Sequence, residues 1–210
     1  PEELWLKVAE YCDNDVLATE AVFDHLHEDW VARKILARLA GGIVNDTTNT
    51  LTAKIIFGNN KTPQDQFVYR NLADPCDDKP YFPGYSFEGG KSIYKGVEVG
   101  EGGYVEAMPG IFGNVGLFDV ASMHPTSILE ERYLGKYTDR FRDIVDIRLF
   151  IKHGDYESVG KLFDGKLVKY LNNKDEAKDL SNALKTAINS VYGLTSATFN
   201  NPFRDKRNKD

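Results

Sequence analysis

The sequence is poor in cysteine: Cys12 and Cys76 are the only two in 210 residues, and they form neither a Cys-x-x-Cys pair nor a zinc-ligand spacing. This argues against a structural zinc site or a disulfide framework and points to a reduced compartment with unpaired thiols. No apolar run approaches the roughly 20 residues that span a bilayer, so no membrane partner is expected. No charged segment followed by an apolar one marks a secretory leader. An initiator methionine is also absent. The chain opens on Pro1, and Glu2 to Leu6 already reads as the inside of a helix, so a piece of a longer cytoplasmic protein is expected.

Basic charge is in deficit too, with a formal net charge of −6. A nucleic-acid partner looks excluded until the charge is mapped along the chain. Residues 1–30 carry nine acids and one base, or −8, which leaves +2 for the rest. The acidic start and the remainder are therefore judged separately. With 41% hydrophobic residues, the chain can bury one substantial core or two modest ones.

From Glu2 to about Leu39 the apolar spacing is helical, with a break near His27 to Asp29 and a stop at Gly41-Gly42. Tyr11 and Asp15 lie four apart and share a helical face, although Asp13 or Asn14 could equally be helix caps. His25 and His27 read as solvated surface residues. Residues 43–58 read as two extended pieces, with Leu51 to Phe57 the firmer. The proline-bearing stretch from Asn59 to Gly90 reads as a long connector ending in Phe87-Glu-Gly89-Gly90. That glycine pair suits a plain turn or the close approach of another backbone. Residues 91–112 suggest a β-hairpin with Tyr94, Val97, Val99, Tyr104 and Val105 in strands and Gly100 to Gly103 as its turn.

The stretch from Asn114 to Ile128 is the first chemical signal. Val115, Leu117 and Phe118 read as a short buried strand, Asp119 stands at its end, and Pro125 suits the start of a helix. A carboxylate leaving a strand can hold a metal ion, and the backbone N–H groups of the turn can hold phosphate oxygens. An acidic turn residue fits these residues as well.

Thr138 to Gly193 is helical in pattern. Phe141, Ile144, Val145, Ile147 and Leu149 suit one helix, Val159 to Tyr170 a second, and Leu180 to Tyr192 a third. The third gathers Lys178, Lys185, Asn189 and Tyr192 at spacings of seven, four and three, one stripe of a helix. A cationic and amide stripe suits a polyphosphate or a nucleic-acid groove, and it also suits a solvated face with Tyr192 turned into the core.

Together these pieces resemble the family B DNA polymerases. The first polymerase motif, D-x-x-S-L-Y-P-S-I, is matched by Asp119-Val120-Ala121-Ser122-Met123-His124-Pro125-Thr126-Ser127-Ile128, and the helical motif K-x-x-x-N-S-x-Y-G by Lys185 to Gly193. Tyr11 and Asp15 fit the third exonuclease motif, Y-x-x-x-D. Phe87, Gly89 and Gly90 resemble the Y-x-G-G linker.

The resemblance implies an α+β fragment of a polymerase right hand. Residues 1–41 would be C-terminal helices of a 3′–5′ exonuclease domain, 42–137 linker and palm portion, 138–193 helical fingers like those of compact phage enzymes, and 194–210 a return toward the palm. It implies two-metal phosphoryl transfer with magnesium, on primer-template DNA and deoxynucleoside triphosphates, with replication accessory proteins as further partners. Asp119 would be a metal ligand in the polymerase site and Asp15 one in the exonuclease site, with Tyr11 beside it. Val120 to His124 would cradle the triphosphate, Lys185 would approach it with Asn189 in support, and Tyr192 would pack at the minor-groove side of the nascent pair. Phe87, Gly89, Gly90, Tyr192 and Gly193 would contact DNA. Lys178 joins the nucleotide-binding set from helical spacing alone.

Two departures stand out. His124 replaces the motif tyrosine that packs under the sugar, so weaker exclusion of a ribose 2′-hydroxyl is expected. Phe87 lacks the hydroxyl of the linker tyrosine. The second carboxylate motif of the family, D-T-D, and the first two exonuclease motifs do not occur in these residues, so negligible activity is expected from the 210 residues alone, against both activities in an intact parent. A noncatalytic nucleic-acid-binding module is the alternative. A hydrolase using Ser122 and His124 is not, because residues two apart at a turn do not align a nucleophile with its base and no Gly-x-Ser-x-Gly elbow surrounds the serine.

Overall fold

The computed structural model describes residues 4–68, 75–76, 79–80, 82–99, 103–120, 122–197 and 199–207. The architecture is α+β, with most described residues helical and the helices after α1 sharing one apolar core, together with two small antiparallel sheets; α1 buries no residue.

Helix α7, Lys174–Thr195, is the axis of that core. Asn173 caps it by accepting the Glu176 N–H at 2.9 Å. Ala177, Leu180, Ala183, Leu184, Ala187, Ile188, Val191 and Leu194 are buried along one side. Three alanines in that set let neighbouring helices come close. Helices α2 (His27–Ala40), α3 (Thr48–Phe57), α4 (Met123–Glu130) and α5 (Thr138–His153) all pack on it.

Helix α1, Trp5–His25, precedes α2 and meets it at Leu26, just before the break expected near His27 to Asp29. Asp13 and Asn14 lie inside α1, so neither is a cap. Gly41 ends α2 in the left-handed conformation, with Gly42 N–H on the Ala37 carbonyl and Gly41 N–H on the Arg38 carbonyl, the paired bonds of a Schellman motif.

Several expectations are corrected. Leu51 to Phe57 is helical, not extended: Thr47 accepts the Thr50 N–H at 3.2 Å to start α3, and Leu51, Thr52, Ile55, Ile56 and Phe57 are buried. Their β-branched side chains favour a strand locally, but packing on α7 and the 3.1 Å contact of the Thr52 and Ser190 hydroxyls reward the helix. The connector contributes to the core through buried Pro63, Gln64 and Phe67. Val159 to Tyr170 is not one helix; a short α6, Tyr156–Lys161, gives way to two 3₁₀ turns at Phe163–Gly165 and Val168–Tyr170. Leu149 is 40% exposed instead of sharing the core face of α5.

Strands β1 (Pro75–Cys76) and β2 (Lys79–Pro80) form one two-stranded sheet. Strands β3 (Tyr85–Glu88), β4 (Lys91–Tyr94) and β5 (Val97–Glu98) form a three-stranded meander. The second hairpin turns at Lys95-Gly96, and Tyr104 and Val105 are outside any strand; the turn expected at Gly100 to Gly103 falls almost wholly on residues not described. Gly100 to Gly102 lie outside the described residues.

The largest correction concerns residues 103–120, which contain no strand. Leu117 and Phe118 are each 95% exposed, so the expected buried strand does not form. A strand needs a hydrogen-bonded neighbour, and no described strand pairs with this segment.

After α7 the chain folds back on the core. Phe203 is fully buried against Phe57, with ring centroids 4.8 Å apart, and Asn201 accepts the N–H groups of Phe203 and Arg204. Burial would raise the Asp205 carboxyl, but the hydrogen bonds and charge of Arg207 outweigh it and hold it below the usual carboxylate range. A lowered native value contributes stability that is present above the unfolded value of about 3.9 and is lost as pH falls through the native one. Asp205→Asn is therefore expected to cost about 1–3 kcal/mol near neutral pH. The gap from wild type in urea titrations should shrink below about pH 4.

Candidate nucleotide and nucleic-acid site

Ser122 sits in the left-handed region, φ 52° and ψ 50°, immediately before α4. This conformation is uncommon for a side chain larger than glycine and is concentrated at functional turns. It stands between the irregular 103–120 segment and α4, where Pro125 occupies the first turn and is buried with Ile128 and Leu129. Pro125 lacks an N–H, which costs nothing in a first helical turn. The burial of these three side chains leaves Met123 and His124 exposed.

His124 is stacked on Tyr192, with ring centroids 3.6 Å apart and an interplanar angle of 16°. The two rings come from segments far apart in sequence, α4 and the last turns of α7. Tyr192 is 42% exposed, so it does not turn into the core. On the same face of α7, Lys178, Lys185 and Asn189 are all exposed while the opposite face is buried, as the helical spacing predicts. Lys185 has no hydrogen bond or ion pair among the described residues. Gly193 is exposed in the last turn, and a Cβ there would meet nothing within 4 Å.

A groove of about 620 Å³ opens beside this face and is lined by Ser122, Arg148, Lys152, His153, Lys174 and Lys178, with no acid in its wall. Arg148 and Lys152 are four apart near the end of α5, and Lys174 opens α7. These three cations have no ion pair among the described residues. The sequence reading missed all three. The available signal was the i, i+4 basic pair on α5, but its partners come from another helix. Lys178 is already paired with Glu28 of α2 at 3.4 Å, an exposed contact that contributes little to stability.

The remaining candidates stand apart or alone. Asp119 and Val120 are exposed at the end of the irregular segment, and Ala121 lies outside the described residues. Tyr11 and Asp15 share a turn of α1, both exposed. Among the described residues no three His, Cys, Asp or Glu side chains converge on a possible metal position. Phe87 lies on β3, and Gly89-Gly90 is the turn between β3 and β4, with φ of 59° and 80°. Both glycines face open space, so the turn needs them for positive φ, not for close approach.

No protein-family model, curated protein or solved structure matches the chain. No described helix is long and apolar enough to cross a membrane. The chemistry available here is defined by its own residues: an aromatic pair, a lysine and amide stripe, and a cation-lined groove.

Proposed function

We propose that the chain is part of a family B-like DNA polymerase and contributes the nucleotide-contacting face of its active site. The observation that carries this reading is the His124–Tyr192 stack, which joins the carboxylate-bearing turn to the lysine-bearing helix. A nucleotide held there would meet a ring pair at its base and sugar, and Lys185, two turns back along α7, at its phosphates. Asp119 supplies one carboxylate toward a magnesium ion. The described residues do not complete a two-metal site by themselves. Tyr11 and Asp15 would belong to a separate proofreading site, and accessory replication proteins are further partners of the parent.

The alternative, a noncatalytic nucleic-acid-binding module, is favoured by the cationic groove, which is independent of Asp119. Calorimetric titration with magnesium dATP separates the two. Saturable one-to-one binding that requires magnesium and weakens in Asp119→Asn supports the polymerase reading. Binding indifferent to both supports the module, and no binding overturns the nucleotide site.

The same titration tests His124. An imidazole is smaller than a phenol and has hydrogen-bonding nitrogens on its ring, so it leaves room for a ribose hydroxyl. His124→Tyr is expected to raise the preference for dATP over ATP by about tenfold, the effect of roughly 1.4 kcal/mol of steric exclusion. An unchanged ratio would remove sugar selection from this residue.

A further inference from the structure

Helix α7 exposes Lys185, Asn189 and Tyr192 on one side and buries the other, so what the buried side meets fixes where the exposed residues point. Every buried side chain of α7 is apolar, and Ala177, Ala183 and Ala187 are among them. Apolar contact is non-directional and alanine ridges are shallow, so such packing resists separation of the helices more than rotation about their axes. Rotation matters here. With a helix radius of about 5–6 Å including side chains, a turn of about 10° carries a side-chain tip about 1 Å sideways. The Tyr192 ring stacks on His124 with centroids 3.6 Å apart, and a shift of that size disturbs its overlap.

One contact between α3 and α7 has direction. The Ser190 hydroxyl donates to the Ala187 carbonyl at 2.8 Å, which uses its single proton. In the 3.1 Å contact of the Thr52 and Ser190 hydroxyls, Thr52 is therefore the donor and Ser190 the acceptor. Thr52 is fully buried, and the other buried residues of α3, Leu51, Ile55, Ile56 and Phe57, are apolar. Among the described residues this is the one hydrogen bond that joins α3 to α7. Ser190 directly follows Asn189 and comes five residues after Lys185, so it stands about 140° round the helix from that lysine. Its bond thus holds α7 from the side opposite the exposed stripe.

We infer that Thr52 is a positioning residue for the nucleotide face: its hydroxyl, donating to Ser190, sets the rotation of α7 and so aligns Lys185, Asn189 and Tyr192. The relay from Thr52 through Ser190 to the Ala187 carbonyl has angular demands that apolar packing lacks, and each hydrogen bond in it polarises the next. This role rests on the nucleotide reading of the exposed stripe. It adds to that reading a buried residue of another helix that would touch no ligand.

The test uses the whole 210-residue chain. Thr52→Val keeps the side-chain shape, removes the donor and leaves Ser190 bonded to Ala187. It should weaken binding of magnesium dATP by about three- to tenfold, the range of one neutral hydrogen bond. Thr52→Ser should restore most of the affinity. Ser190→Ala should match Thr52→Val, and the double variant should lose no more than either alone, because the two hydroxyls act as one unit. A merely structural role would lower the urea midpoint and leave the exposed face as it is. Proton NMR reads that face directly. A tyrosine ring stacked on an imidazole shifts its C–H protons upfield, so the His124 resonances are located as those that move in Tyr192→Leu. They should move the same way in Thr52→Val and return in Thr52→Ser. Unmoved His124 resonances, or unchanged affinity in both Thr52→Val and Ser190→Ala, would overturn the inference. A wild-type chain that binds no magnesium dATP would end the nucleotide reading instead, and the His124 resonances would still decide whether Thr52 sets the alignment of α7.

Discussion

On the proposed nucleotide reading, Lys185→Ala is expected to weaken binding of magnesium dATP by about 10- to 100-fold, the effect of losing a charge-assisted hydrogen bond worth roughly 1.5–3 kcal/mol. The lysine is exposed on α7, with no hydrogen bond or ion pair among the described residues, so its removal leaves no carboxylate stranded and no cavity. Stability should therefore change by less than about 0.5 kcal/mol, as for ordinary surface substitutions. The separation of the two readouts is the point of the experiment. A variant that binds like wild type would show that the stripe is merely a solvated face. Lys178→Ala serves as the comparison, because Glu28 already holds that ammonium at 3.4 Å. Its effect on binding should be several-fold smaller, since a nucleotide must compete with Glu28 for it. An equal or larger loss in Lys178→Ala would shift the phosphate position toward the groove formed with Arg148, Lys152 and Lys174.

Phe141→Ala lowers the unfolding free energy by about 3–5 kcal/mol, the usual cost of emptying a large buried aromatic site. Phe141 is fully buried, in the core that α5 and α7 share. A small domain has about 5–15 kcal/mol in total, so this single change removes a large share of it. Leu149→Ala on the same helix should cost less than about 1 kcal/mol, because that side chain is 40% exposed. Urea denaturation followed by circular dichroism reads both, with a lower midpoint for Phe141→Ala and little movement for Leu149→Ala. Similar losses at the two positions would mean that α5 buries the broader face its sequence suggests.

The Phe141 and Leu149 pair shows what local pattern can and cannot convey. Phe141, Ile144 and Ile147 follow a helical period legible in the residues alone and are buried, and Ile151 joins them in the structure. Leu149 lies off the resulting stripe, and only the position of α7 decides which edge of the stripe is covered. Helix α7 itself was readable from its amphipathic spacing, as was the arrangement of Lys178, Lys185, Asn189 and Tyr192 along its exposed side. The stop at Gly41 and the turn at Gly89-Gly90 were readable because positive φ selects glycine.

Helix α3 was not readable, since its threonines and isoleucines favour a strand until α7 offers them a groove. The segment ending at Asp119 failed in the opposite direction. Its apolar residues suit a strand, but strand identity is a property of a pair, and no described partner pairs with it. The sequence by itself thus determined the helical stripes, the glycine turns and the residue types able to meet a nucleotide, because each depends on backbone geometry within a few residues. The tertiary structure alone decided that His124 stacks on Tyr192 and that Glu28 reaches Lys178. It also placed Arg148 and Lys152 beside Lys174 in one groove. Those contacts join distant segments, and their geometry follows from how helices pack around α7, which no local period encodes.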